Sequence, residues 1–374
     1  MLLRSNNLIA VLIVFIVIVY SIVLAVPWLS VATKSVTLMF LYLTPIVFLV
    51  INRFITFKLN SSTLLIWFLV LFLTLKDLSL YLTGIADIEV FYYSLLRFFI
   101  CVSLYLVVCN VSFELEKRVF SLFFIGALTI FSLTFFIDVD LSGNVILIMG
   151  LLSIVSTGRW YKAIVLSLVF AIISFFLESR TGLLVIIFYM LHRFFLYIPS
   201  YKRYWENIIL YFLILFVLMQ LMISLEYADD LYLNVLFTKR PFIWGAYITE
   251  VMSNSFSQLF GFGKITGHFA EQVGVIVADE FGVGRKYSAH SFYINFIYEH
   301  GLLGFSLFCL FIFKMFINTS YTEEETKTSE YLLFTLIAAL VIPMYIGGNS
   351  IFDMILTYTL FRKAILNEKN SANS

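Results

Sequence analysis

Charge is what this sequence has least of. Asp, Glu, Lys and Arg together make up 13% of its residues, about half the share found in a water-soluble domain. A net charge of +1 gives no basic surface for nucleic acid and no bias toward an acidic partner. Cysteine is scarce too. Cys101, Cys109 and Cys309 all sit inside apolar runs without paired spacing, which excludes a disulfide framework or a cysteine metal site. There is no internal repeat and no low-complexity tract.

What is present is apolar: 62% of the chain is hydrophobic. So little charge requires lipid as the solvent, and backbone groups in hydrocarbon must be hydrogen-bonded internally, in helices or closed barrels. The apolar runs last roughly 15 to 22 residues without alternation, a length for helices crossing about 30 Å of hydrocarbon and too long for barrel strands of about 10 residues. The fold class expected is therefore all-α, a polytopic membrane protein of about 12 transmembrane helices. The segments read as 8–29, 35–51, 61–75, 91–110, 119–137, 144–157, 163–177, 183–198, 208–225, 291–313, 331–346 and 351–366. The first follows Arg4 and is too long for a signal-peptide core, so it reads as a retained helix. The last two, interrupted by Gly347, Gly348 and Asn349, also fit one re-entrant element.

Basic residues orient the stack. With a cytoplasmic N-terminus, the inner loops and tails hold 15 of them: Arg4, Arg53, Lys58, Lys117, Arg118, Arg159, Lys162, Arg193, Lys202, Arg203, Lys314, Lys327, Arg362, Lys363 and Lys369. The short outer loops hold 3, Lys34, Lys76 and Arg180. The positive-inside rule then places both termini in the cytoplasm. One connection, 226–290 between helices 9 and 10, is far longer than the usual loop and falls on the outer face. It carries Phe242, Trp244, Tyr247, Phe256, Phe260, Phe262 and Phe281 together with Arg240, Lys264, His268, Arg285 and His290. Pro241 to Met252 reads as a short helix with proline in its first turn. A loop this aromatic and basic suggests a lid over a substrate site.

Three motifs could carry chemistry. Glu178-Ser179-Arg180-Thr181-Gly182 sets an arginine at an outer helix end, where snorkelling to headgroups is the plain alternative. Lys239-Arg240-Pro241-Phe242-Ile243-Trp244 sets a guanidinium fork at a helix start, a geometry suited to phosphate, or else a solvated pair. Ala289-His290-Ser291-Phe292-Tyr293 then leads into Glu299-His300-Gly301-Leu302-Leu303-Gly304. By helical spacing His290, Ile294, Ile297, Gly301 and Gly304 share a face, so a neighbouring helix can pack against the two glycines. A lone histidine is usually structural, but neutral imidazole is also the commonest general base.

Ser179-Arg180-Thr181-Gly182, Arg240 with Trp244, Gly261-Phe262-Gly263, and His290-Ser291 with Glu299, Gly301 and Gly304 together resemble the O-antigen polymerase and ligase family. The resemblance covers mainly residues 175–305. One departure is Ser291, where many members carry Asn. The resemblance implies a GT-C-type glycosyltransferase in the bacterial inner membrane, with its site periplasmic. Its substrates would be glycans on undecaprenyl pyrophosphate, as donor and acceptor, with a chain-length regulator protein as a further partner. It implies Arg180 and Arg240 at the leaving pyrophosphate and His290 at the acceptor hydroxyl. Lys239, Trp244, Lys264, Arg285, Tyr293 and Glu299 are the accompanying substrate-binding candidates.

Neither a cofactor nor a metal is expected. The acidic pairs Asp229-Asp230 and Asp279-Glu280 read as solvated, and the resemblance implies metal-independent transfer. Arg97 lies about two turns into a spanning segment, where an unpaired charge costs at least about 2.5 kcal/mol. It either faces a wet cavity and helps hold phosphate or snorkels outward; Asp353 is a candidate partner. Polymerase is preferred over ligase because no large basic outer patch appears for a phosphorylated acceptor. From other classes, a lipid-linked sugar transporter or flippase and a non-catalytic scaffold remain as rivals.

Overall fold

The computed structural model describes residues 58–84, 88–137, 143–157, 159–176, 180–237, 239–263, 289–316, 322–340, 346 and 351–367. The two segments expected before residue 52 lie outside them. The described residues form helices and no strand. In chain order these are α1 (Ser61–Leu82), α2 (Ile88–Asn110), α3 (Phe113–Ile137), α4 (Gly143–Ser156), α5 (Trp160–Phe176), α6 (Arg180–Phe195) and α7 (Pro199–Glu226). Three short helices follow, α8 (Leu231–Leu236), α9 (Arg240–Met252) and α10 (Ser255–Phe260), then α11 (Phe292–Phe316), α12 (Glu323–Ala338) and α13 (Ile351–Leu366). Four of them, α1, α2, α7 and α11, are long and apolar enough to cross a membrane.

Their apolar faces are turned outward, as lipid demands. On α1 the stripe Leu64, Phe68, Leu71 and Leu75 is exposed, whereas Lys76 and Asp77 are buried with Leu69, Val70 and Leu73. A water-soluble helix would reverse that arrangement. On α7 the exposed stripe is Tyr211, Leu215, Leu218, Met222 and Leu225.

Hydrogen bonds sort the helix ends into two poles. At one, Asn60 before α1 donates to the carbonyls of Ala364 and Ile365 at the end of α13. Arg362 donates to Val108 and Val111 at the end of α2. Lys327 in α12 donates to Val155 at the end of α4, and Asn367 reaches Lys314 near the end of α11. At the opposite pole Gln220 of α7 donates to Leu340 after α12, and Phe292 N–H bonds Ala339. The long connection leaves and returns at this second pole, away from the end of α13.

The first pole is an ionic floor. Arg362 contacts Glu116 at 2.9 Å and Glu324 at 2.8 Å. Lys327 pairs with Glu330 at 2.6 Å, and Lys363 lies 2.6 Å from Ser329 Oγ and 3.6 Å from Glu206. These partners explain one departure from the expected segments. Helix α12 begins at Glu323, not 331, because the polar side chains of Glu325, Lys327 and Glu330 in its first two turns are buried, behind a Thr322–Glu325 capping box. It also ends at Ala338, so α12 and α13 are separate helices. Removing one partner of a buried pair leaves the other charge stranded. Arg362→Ala is accordingly expected to cost about 3–5 kcal/mol, read as a lowered unfolding midpoint in detergent.

Candidate functional site

The candidate site lies at the second pole, around a smaller apolar cluster that joins α7, α9 and the first half of α11. The corner between α8 and α9 is built on Asn234, which is buried. Its Nδ2 donates to the Ala228 carbonyl at 2.6 Å and its Oδ1 accepts the Phe242 N–H at 3.0 Å. Lys239 turns the chain with φ +64, and its N–H bonds the Asn234 carbonyl at 2.7 Å. Arg240 then opens α9, followed by Pro241, as the sequence predicts for a first turn.

Trp244 is buried one helical turn on, and its indole Nε1 donates to the Ala289 carbonyl at 2.7 Å. That bond ties α9 to the residue before His290. His290 itself is not on the helix: it has φ +47, a left-handed conformation costly for a non-glycine residue. Burial, and next the charge of Arg240, hold the His290 imidazole below its ordinary pKa. Burial also lowers Arg240, though a guanidinium stays protonated. The pair is thus a cation beside a neutral imidazole, both half-buried. Trp244→Phe deletes the donor to Ala289 and is expected to cost about 1–3 kcal/mol, measured by thermal unfolding.

Ser291 Oγ donates to Gln220 Oε1 at 3.2 Å. An amide therefore stands beside the serine after all, supplied by α7. Its sequence signal was weak, one glutamine in a long apolar run.

Below this level α11 is broken. Gly301 has φ +65 and ψ −173 inside the helix, so the helical phase counted from His290 to Gly304 does not run through it. The carbonyls freed by the break are taken by the chain after α10. Phe262 N–H bonds Tyr298 and Gly263 N–H bonds Glu299, each at 2.9 Å. Gly261 and Gly301 make that approach possible: a Cβ on Gly301 would sit 2.3 Å from the Leu259 carbonyl oxygen, and one on Gly261 2.5 Å from the Glu299 carbonyl carbon.

A buried ionic group surrounds the break. Lys76 donates to the Glu299 carbonyl and, at 3.2 Å, contacts His300 Nδ1. Lysine only donates, so Nδ1 accepts and the His300 proton sits on Nε2, 3.6 Å from Glu299 Oε2. Asp77 holds Lys76 at 2.7 Å and Arg97 at 2.9 Å, and accepts from Ser94 at 2.7 Å. Arg97 also lies 3.9 Å from Glu299.

The structure therefore groups the expected residues in two layers. Lys239, Arg240, Trp244 and His290 come together at the top. Arg97 and Glu299 come together beneath, where Arg97 bridges Glu299 and Asp77, so Asp77 is a partner of Arg97 that the sequence reading did not name. Lys76 is not in an outer loop; α1 continues past it to Leu82. Tyr293 bonds its hydroxyl to the Leu336 carbonyl at 2.9 Å, which docks α11 on α12. Arg180 opens α6 at the same pole, and its side chain lies outside the described residues, as do Lys264 and Arg285. Gly182 serves close approach, since a Cβ there would meet Leu147 at 2.3 Å. Asp230 caps α8, accepting the Leu233 N–H at 2.9 Å.

No family model matches this chain, and no curated protein or solved structure matches it.

Proposed function

We propose that this chain is a membrane glycosyltransferase that joins oligosaccharide repeat units carried on undecaprenyl pyrophosphate, an O-antigen polymerase with about 12 spans and a GT-C-like fold. The observation that carries the reading is the Arg240–His290 pair, a fixed cation beside a neutral imidazole outside the spanning helices. In the reaction an acceptor hydroxyl oxygen attacks the donor's anomeric carbon. The bond from that carbon to the pyrophosphate oxygen breaks, and undecaprenyl pyrophosphate leaves with the electron pair. His290 takes the hydroxyl proton. Arg240, with Arg180, stabilises the charge gathering on the pyrophosphate, a contribution that preorganised donors make best where water is excluded. The phosphate ester already stores the energy, so the residues need neither nucleotide nor metal. The proposed setting is the bacterial inner membrane, with the site periplasmic and a chain-length regulator as partner.

Glycolipids from a strain lacking the gene test the reading. The expected profile is lipid A–core carrying a single repeat unit and no ladder. Core without any repeat would instead indicate the ligase.

A second reading, a lipid-linked sugar transporter, draws on one feature. Broken helices flanked by buried charges are typical of transporter sites, and α11 has both at Gly301. Purified protein that elongates a lipid-linked unit without a membrane potential would exclude it.

A further inference from the structure

Helix α8 is built inside out. It turns its polar residue inward, with Asn234 buried and bonded to Ala228, Asp230 and Phe242. Its apolar residues point away from the protein: Leu231 is 68% exposed, Tyr232 85% and Val235 73%. At spacings of three and four these share one face. Leu233, between them, packs on the cluster around Trp244.

The surroundings identify what covers that face. Helix α7 has 28 residues, and its apolar run after Asn207 rises about 28 Å, close to the roughly 30 Å hydrocarbon layer. Its far end, at Glu226, therefore lies at the interface. Past Leu218, Met222 and Leu225, exposed on α7, the chain passes the exposed Tyr227 and reaches Leu231, Tyr232 and Val235. Exposed apolar residues with tyrosines among them, directly after the end of a spanning helix, mark an interfacial segment.

We propose that α8 is an interfacial foot: Leu231, Tyr232 and Val235 insert among lipid headgroups and upper acyl chains. Because Asn234 fixes α8 to the start of α9, the foot sets the height of Arg240 at the lipid phosphates. The inference requires a membrane protein but not glycosyl transfer.

The test is collision accessibility of nitroxide labels in nanodiscs of phosphatidylethanolamine and phosphatidylglycerol. The background is Cys309→Ser, since Cys101 and Cys109 are buried. Single cysteines replace Leu231, Tyr232, Val235, Leu218 as a mid-membrane reference and Glu323 as an aqueous one. The expected result is an oxygen-to-nickel-chelate accessibility ratio at 231, 232 and 235 several-fold above that at 323 and below that at 218. A ratio at those positions equal to that at 323 would overturn the proposal. Exclusion of both reagents would overturn it too, because protein rather than lipid would then cover the face. All five positions are exposed, so the labels leave the packing intact, and near-unchanged unfolding midpoints check this.

Discussion

Arg240→Ala is expected to lower glycan transfer by about 10²–10³-fold, the size of effect seen when one preorganised donor to a developing anion is removed. Arg240→Lys should stay well below wild type, because a point charge on a flexible stem does not reproduce the planar fork. Both proteins should accumulate in the membrane, since Arg240 is half-buried at the start of α9 and Trp244 and Asn234 hold that helix. The same substitution reports on His290. Its imidazole is held down by burial and by Arg240, so the base-competent neutral form fills as pH rises through a value below the usual value of about 6.5. With the cation gone, as in Arg240→Gln, that value moves up, and the acidic limb moves to higher pH. The rate of pyrocarbonate acylation of His290 against pH measures this without relying on activity. An unshifted limb would separate the two side chains.

Gly301→Ala is expected to be the most damaging single-atom addition in the described structure. The left-handed backbone alone costs about 1–3 kcal/mol for an L side chain, and the new Cβ would lie 2.3 Å from the Leu259 carbonyl oxygen. To relieve it, the chain after α10 must leave the Tyr298 and Glu299 carbonyls, uncapping the break in α11. The control is Gly84→Ala, with φ +72 and nothing within 4 Å, which carries the strain without the collision. The unfolding midpoint of Gly301→Ala should fall well below that of Gly84→Ala. Equal losses would mean the interlock with Gly261 contributes nothing.

Much of the helical order was legible because hydropathy reports burial in lipid directly. The expected segments over α2, α4, α5 and α13 lie close to the observed helices, and Pro241 marked the start of α9. Hydropathy failed where charges find partners inside the protein. Lys76 and Asp77 looked like a loop, and so did Glu323 to Glu330, yet Lys76, Asp77, Glu325, Lys327 and Glu330 are buried because other groups inside the protein complete them. Helical phase failed at Gly301 for a different reason: a glycine that permits close packing and one that breaks a helix read alike in sequence. Of the site, the approach of Arg240 to His290 was foreseeable from motif order, whereas Trp244, expected at the substrate, is a buried tie to the Ala289 carbonyl. Gln220, Asn234 and the Asp77–Arg97 pair were not, since polar residues in apolar runs acquire meaning only from distant neighbours.

The proposed function of this pole of the protein is glycan transfer between polyprenyl pyrophosphates. Its most direct test is purified protein in liposomes with a short undecaprenyl-pyrophosphate-linked repeat unit, without nucleotide, followed by mass analysis of the lipid-linked products. The account predicts products lengthened by whole repeat units, with release of undecaprenyl pyrophosphate, and their loss in His290→Ala. Unchanged substrate with the wild-type protein, or undiminished elongation by His290→Ala, would contradict it.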